Sequence, residues 1–271
     1  MRAHPPARLG LWLYAAAGVA LGGRALLEGP PPFTPTLLGA LGYLAYGTLG
    51  VFYPERGMYG RVLSCGPRRP ELALTFDDGP HPRTTPRVLT ALAAAGASAT
   101  FFVVGRKAEQ HPELVAEIAR QGHLVALHGY EHDRLFSLRS PGHVDRDIRR
   151  TQAAIVAAGA PLPLLFRPPI GFLSHFTVAG ARRAGVTIVG CTARALDGVR
   201  RANPKRVAAR LKRAIAPGAV LALHDAAERD DFEPASISAL PELLSAIESA
   251  GLRSVTLSNF LESAPAACPD A

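Results

Sequence analysis

Leu72-Ala73-Leu74-Thr75-Phe76-Asp77-Asp78-Gly79-Pro80 is the stretch on which the fold turns. An apolar run stops at two adjacent carboxylates and then at a Gly-Pro bend. Such a run, too short for a helix and closed by turn residues, reads as a buried strand. Some fifty residues later a second apolar run, Leu124–Leu127, ends in His128-Gly129-Tyr130-Glu131-His132. The two stretches offer one carboxylate and two imidazoles to a metal and leave one carboxylate over.

The pattern repeats outward from there. Strands are expected over 71–76, 99–104, 124–127, 164–166, 186–190, 219–223 and 253–256. Helices are expected over 84–95, 112–121, 143–158, 177–184, 204–216 and 235–250. Thr85-Pro86 suits a helix start, with Thr as cap and Pro in the first turn. Gly96, Gly122, Gly159, Gly185 and Gly251 stand where helices should stop. Alternating units of this length predict a parallel sheet closed into a barrel.

The polar signals fall at strand ends. Asp77 and Asp78 follow the first strand, His128 the third and Arg167 the fourth. Asp197 lies a few residues past the fifth, and His224-Asp225 follows the sixth. The C-terminal strand ends of a parallel barrel form one face, where active sites are built.

The residue types suggest hydrolysis. His128 and His132, spaced i, i+4, are expected on one side of a helical turn. With Asp78 they make a three-ligand set that leaves positions open for water and substrate. A bound ion can lower a water's pKa to about 7, as zinc does, and Asp77 would take the proton. Arg167 and the metal supply the positive charge that lets two neighbouring carboxylates ionise together. His224 leaves a run too apolar for the surface and is placed to protonate a leaving amine. Asp197 would hold its ring. His81, His111, His123, His143 and His175 lie near turns or helix starts and read as structural or solvated. The basic run Arg194, Arg200, Arg201, Lys205, Arg206, Arg210, Lys212 and Arg213 reads first as a solvated helix face. Its second reading is contact with phosphate on a lipid or substrate.

The chain has 271 residues, 48% of them hydrophobic, enough for a large core. Its net charge of +8 is uneven. Residues 1–70 hold seven Arg and two Glu (+5), and the rest hold the other 23 Lys/Arg and 20 Asp/Glu (+3). A basic excess beside apolar segments fits a membrane surface better than nucleic acid, for which no motif is present. Cys65, Cys191 and Cys268 are too few for a disulfide framework and lack zinc-binding spacing; Cys191 reads as a core residue.

Residues 11–23 and 36–53 are uncharged and apolar, with Glu28-Gly29-Pro30-Pro31-Pro32 between them. The second nearly meets the length of a spanning helix; the first does so if Arg24 snorkels. Trp12, Tyr14, Tyr43, Tyr46, Phe52 and Tyr53 could anchor the interface. The expected organisation is a membrane-anchoring helical hairpin over 1–60 and a catalytic domain over 61–271. A signal peptide, or helices packed on a soluble domain, are the alternatives. Arg2 and Arg8 precede the first segment, and Arg56, Arg61, Arg68 and Arg69 follow the second. By the positive-inside rule two spans put the catalytic domain in the cytoplasm, and one span puts it outside.

Thr75-Phe76-Asp77-Asp78-Gly79-Pro80, His128-x-x-x-His132, Arg167-Pro168-Pro169-Ile170-Gly171 and Leu223-His224-Asp225 resemble the motifs of the polysaccharide deacetylases, carbohydrate esterase family 4. The resemblance covers roughly 70–260, in the family's motif order. It implies a distorted seven-stranded (β/α) barrel that removes N- or O-acetyl groups from sugars such as chitin or peptidoglycan. The implied cofactor is one divalent ion, zinc first, with Co, Ni, Mn or Fe as alternatives. The resemblance makes Asp77 the base, Asp78, His128 and His132 the ligands, and Arg167 the residue orienting Asp77. His224 becomes the acid and Asp197 its partner. It gives the oxyanion to the Ile170 N–H, with Pro169 and Leu223 beside the substrate.

The sequence also departs from the family pattern. Gly129 replaces the Ser or Thr usual after the first metal histidine. Ile170 replaces a frequent Tyr, Gly198 stands where Trp often follows, and Ala222 replaces a Leu of the acyl pocket. Two aromatic walls on which sugars stack are missing. A lipid-linked amino sugar met at the membrane fits both the anchor and the altered pocket. Hydrolysis of a non-sugar amide on the same fold, or a catalytically silent, membrane-tethered glycan-binding domain, are the alternatives.

Overall fold

The computed structural model describes residues 6–261; Arg2 and Cys268 lie outside them. Two helices come first, α1 (Pro6–Glu28) and α2 (Phe33–Phe52). The chain then runs β1 (Glu71–Asp77), α3 (Thr85–Ala94), β2 (Ala99–Val103), α4 (Gly105–Gln110), α5 (Pro112–Arg120), β3 (Leu124–Leu127), α6 (Pro141–Ala157) and β4 (Leu165–Phe166). It continues with α7 (His175–Ala184), β5 (Thr187–Ile188), β6 (Ala193–Arg194), α8 (Pro204–Lys212), β7 (Val220–His224), α9 (Ala235–Ser249), β8 (Arg253–Ser254) and α10 (Ser258–Leu261).

The strands pair in the order β5-β4-β3-β2-β1-β7-β6, every ladder parallel. The expected barrel is therefore a curled sheet of seven strands whose path ends at β5 and β6. Residues 63–65 lie across the gap, Leu63 bridging to Val189 and Cys65 to Ala219. Strand β6 was not anticipated, because a two-residue strand ending in Arg leaves no apolar run to read. The strand expected at 253–256 survives only as β8, which pairs with the start of β1 off the main path. Helix α4 was also missed: Gly105-Arg106-Lys107-Ala108-Glu109-Gln110 carries no apolar stripe.

Strand alternation divides the interior in two. Leu72, Leu74 and Phe76 of β1, Phe101 and Val103 of β2, and Leu221 and Leu223 of β7 face the helices in the larger core. Phe76 and Phe101 stack at 5.2 Å, and burying each stabilises the fold by roughly 1.5–3 kcal/mol. Ala73, Phe102 and Val220 turn the other way into a smaller core inside the curl, with Leu63, Leu257 and Phe260. Both faces of the sheet are covered, so the strands read as continuous apolar runs.

Helices α1 and α2 are each long and apolar enough to cross a membrane, by length and composition. Their large apolar side chains, from Leu9 and Leu13 to Leu44 and Leu49, are exposed all round. Arg24, the charge inside α1, pairs with Glu28 one turn on, at 2.6 Å. Apart from Phe33, the aromatic side chains of the hairpin lie in its half nearer the sheet. Tyr14 lies 6.2 Å from Tyr43 and 6.0 Å from Tyr46, ring to ring. The hairpin is tied down by Tyr59 Oη donating to Gly47 O, Leu173 N donating to Val51 O, and the edge of Phe52 on Phe172. Cys191 is a half-buried free thiol against the smaller core.

Candidate active site

All the chemistry-bearing residues sit at C-terminal strand ends. Asp77 closes β1 and pairs in register with His224, which closes β7. His128 follows β3, its N–H held by Val103 O; Arg167 follows β4, its N–H held by Leu127 O. Because β6 intervenes, Asp197 lies three residues past the sixth strand rather than the fifth.

Asp78 Oδ1 lies 3.3 Å from His128 Nε2 and 3.1 Å from His132 Nε2. All three residues are buried, and Asp78 Oδ1 has no hydrogen-bond partner. A buried carboxylate oxygen left unpaired between two imidazole nitrogens is costly unless a cation completes it. His128 Nδ1 donates to Arg167 O at 2.8 Å. That bond sets the tautomer and leaves the Nε2 lone pair facing Asp78, the form a metal needs. Donor types, burial and tautomer thus fit a divalent ion.

The histidine pair does not ride on a helical turn. Residues 128–132 form a loop in which Gly129 (φ +77°) and His132 (φ +54°) take left-handed backbone. The i, i+4 spacing therefore works by folding the loop back, not by helical periodicity. Gly129 O and Tyr130 O accept from Gly105 N and Arg106 N at the start of α4, and Tyr130 N donates to Asp147. Glycine suits φ +77°, and a Cβ there would press on Asp147 and Pro169 at 3.3 Å.

Asp77 stands beside this group without joining it. Arg167 Nη1 donates to Asp77 Oδ1 at 2.7 Å and to Thr75 Oγ1 at 2.8 Å, while Nη2 donates to Gly190 O at 2.8 Å. The guanidinium lies over the Phe102 ring, 4.2 Å from its centroid. Its charge is thus anchored in the curl on three acceptors and one π face.

His224 Nδ1 donates to Asp197 Oδ1 at 2.7 Å, and His224 N donates to Asp197 Oδ2 at 3.0 Å. Nε2 then points toward Asp78 Oδ2, 3.9 Å away. Burial opposes charge on this imidazole. The fields of Asp197, Asp78 and Asp77 and the Asp197 hydrogen bond outweigh it and push His224 up to about 10. Burial likewise opposes charge on Asp197, but His224 holds that carboxyl below its usual range. A raised histidine contributes stability that is complete below its unfolded value of 6.5 and lost as pH passes about 10. Asp197→Asn should therefore move the alkaline limb of kcat/KM down by roughly 1–3 pH units. Its stability deficit should be full near pH 6 and shrink toward pH 10. An unchanged pH profile would detach Asp197 from His224.

Ile170 stands in a 3-10 turn, Pro169–Gly171, at φ +52° and ψ 3°. A β-branched residue in the left-handed region costs about 1–3 kcal/mol, so the surrounding turn must hold it there. Pro169 is buried next to Gly129. Leu223 corrects the sequence reading. It is fully buried in the larger core, among the helix-facing residues of β7. Alternation along β7 sends Leu221 and Leu223 one way and Ala222 and His224 the other, so Ala222 is the β7 residue on the site's side.

Several contributing residues escaped the sequence reading. Thr75 Oγ1 donates to Leu221 O while accepting from Arg167. Asp225, fully buried, accepts from Thr85 Oγ1 and lies so close under Gly79 that a Cβ there would overlap its carboxylate. Burial pushes Asp225 up to about 7, against the Thr85 hydrogen bond and Lys107. Thr85 is thus no helix cap; its hydroxyl is spent on Asp225, and Thr84 is the residue before α3. Lys107, also buried, donates to Ala227 O and Asp230 and holds the loop after β7 onto α4. Glu228 lies 3.7 Å from His132 Nδ1 and is gripped by Arg134. Only the adjacency of Asp225 to His224 was visible as a signal; the other partners are far apart in sequence.

The remaining histidines stay outside the site. His123 is buried, its Nδ1 accepting from Ala99 N, and burial lowers its pKa. His81 Nδ1 accepts from Arg83 N. In the basic run, Arg200 pairs with Asp231 and Lys212 with Glu242.

The chain matches the family profile described as polysaccharide deacetylase over residues 66–189. It is 34% identical over 193 residues to a chitooligosaccharide deacetylase of Rhizobium leguminosarum bv. trifolii, spanning 71% of this chain and 83% of that protein. It is 28% identical over 206 residues to a peptidoglycan-N-acetylglucosamine deacetylase of Bacillus cereus, spanning 75% and 73%. Its fold superposes on a family 4 carbohydrate esterase from Streptomyces lividans in complex with acetate, with a TM-score of 0.64 and 31% identity. That match covers 73% of this chain and 98% of the esterase.

Proposed function

Since the chain belongs to the polysaccharide deacetylase family, we propose that it hydrolyses an N-acetyl group from an amino sugar of a cell-envelope glycan, met at the membrane in lipid-linked form. Asp78, His128 and His132 hold the ion, and Asp77 is the base. His224 is the acid, with Asp197 and Arg167 positioning the acid and the base. The observation that supports this reading most is the unpaired Asp78 Oδ1 between two imidazoles, with Asp77 and His224 closing the adjacent strands β1 and β7.

A bound divalent ion, zinc in the first instance, supplies Lewis acidity and eases deprotonation of water. Asp77 takes the proton of the attacking water, held in line by Arg167. The Ile170 N–H, fixed by its strained turn, donates to the oxygen of the tetrahedral intermediate. His224, kept protonated by Asp197, gives its proton to the departing amine. The C–N bond breaks, releasing acetate and a free amino sugar.

The division at residue 60 belongs to the same reading. Leu63 and Cys65 pair with the strands, while α1 and α2 turn apolar side chains outward, as membrane helices do. Two spans leave the catalytic domain on the side of Arg8 and Arg56, the cytoplasmic side by the charge rule. The lipid-linked substrate is favoured by that anchor and by Ile170 and Gly198 standing where aromatic walls were expected.

Full-length protein, metal-stripped and zinc-restored, should be assayed on chitin oligomers, peptidoglycan fragments and polyprenyl-linked N-acetyl sugars. Zinc should restore acetate release, and the lipid-linked sugar should give the highest kcat/KM. Equal rates on the soluble oligomers would remove the lipid requirement. Release from simple acetamides alone would favour the non-sugar amide.

A further inference from the structure

Where the hairpin meets the catalytic region lies a cavity of about 610 Å³, lined by Arg8, Tyr59, Val178, Ala179, Arg182, Arg183 and His175. His175, Val178, Ala179 and Arg182 fall at i, i+3, i+4 and i+7 on α7, so they form one helix face. Arg8 arrives from the first turn of α1, its Nε donating to Met58 O, and Tyr59 arrives from just beyond α2. Three arginines and a histidine thus line one cavity from segments some 170 residues apart in sequence. Among the described residues no carboxylate pairs with Arg8, Arg182 or Arg183; Asp145, on neighbouring α6, is taken by Arg149. Cations in the last turn of α7 suit the helix dipole. The dipole gives no reason for Arg8 to join them or for a cavity to stay open between them.

We infer that this cavity binds the phosphodiester headgroup of an anionic membrane phospholipid. Arginine forks match phosphate oxygens in geometry and charge, and the Tyr59 ring lies alongside. The source is a lipid because of where the cavity sits. It opens at the hairpin end that carries Tyr14, Tyr43 and Tyr46, beside apolar helices exposed all round, so an acyl chain could lie along α1 or α2 while its headgroup enters. The inference rests on the hairpin lying in the membrane. It adds a lipid that orients the catalytic domain and is not consumed.

Trp12, the chain's single tryptophan, lies one turn beyond Arg8 and reports on this corner. Full-length protein in non-ionic detergent should be titrated with short-chain phosphatidylglycerol, the matching phosphatidylcholine, and inorganic phosphate, following Trp12 emission. Only phosphatidylglycerol should give a saturable change. The R182Q/R183Q double variant should weaken it roughly tenfold or more, with the melting temperature lowered by no more than a few degrees, the share owed to the α7 dipole, and unchanged turnover of a soluble substrate. R8Q, which acts from the other wall, should weaken it as well. Equal response to phosphatidylcholine, equal affinity for inorganic phosphate, or full binding by both variants would overturn the assignment. The membrane reading fails separately, if alkaline washing strips the protein from vesicles. Protein that resists washing yet shows no preference for phosphatidylglycerol sinks the lipid site alone.

Discussion

Asp77→Asn should lower deacylation by roughly 10²–10⁴-fold, the usual worth of a general base, while the protein keeps its full complement of metal. The substitution is isosteric. An asparagine Oδ1 can still accept from Arg167 Nη1, now at 2.7 Å from Asp77 Oδ1, so the scaffold should hold. Removing a charge beside a buried guanidinium still costs stability, so melting curves must accompany the assay. The metal group does not include Asp77, which is why metal content separates loss of the base from loss of the site. Wild-type turnover in Asp77→Asn would refute the assignment of the base. Loss of both metal and turnover would mean that Asp77 belongs to the ligand set.

His128→Ala should lose metal. Replacing even an outer partner of a ligand typically costs 10–100-fold in affinity, and removing the ligand should exceed roughly 100-fold. The check that does not depend on turnover is the melting temperature with and without zinc. In the wild type, zinc at a hundredfold over its Kd should add about 2.7 kcal/mol to stability. In His128→Ala this zinc-dependent increment should vanish. Baseline stability will fall too, because His128 is buried and its Nδ1 donates to Arg167 O; the increment, not the baseline, is the readout. An undiminished increment would take His128 out of the ligand set.

The strand framework was legible because both faces of this sheet are covered. Runs such as Leu72–Phe76 and Val220–Leu223 are continuous, and the first polar residue after each marks the strand's C-terminal end. Convergence of Asp77, Asp78, His128, Arg167 and His224 then followed from parallel topology alone. What resisted reading was conformation without pattern. The loop that carries His128 and His132 depends on left-handed backbone at Gly129 and His132, which spacing cannot distinguish from a helical turn. Leu223, placed beside the substrate by the family resemblance, instead faces the larger core, because neighbours on a strand face opposite ways. Thr75 and Asp225 stand in the motifs but carry no role from sequence, because their partners, Arg167 and Thr85, lie 92 and 140 residues away. The hairpin was readable from length and polarity, whereas the cavity at its foot needed α7 to be brought against Arg8.

Arg167 does two jobs with different atoms: its guanidinium steadies Asp77, and its carbonyl oxygen fixes the ring of His128. With His128 as the ligand and Asp77 as the base proposed above, metal preference and proton-accepting strength would not be independent traits. A change that widens the cradle for a larger ion must rotate His128 against that carbonyl, and the same backbone shift swings the guanidinium past Asp77. Selection or engineering for a new metal should drag the acid limb of the pH profile along with it, and repairing one without the other would call for a second change at Thr75 or Gly190, where the guanidinium has its remaining footholds.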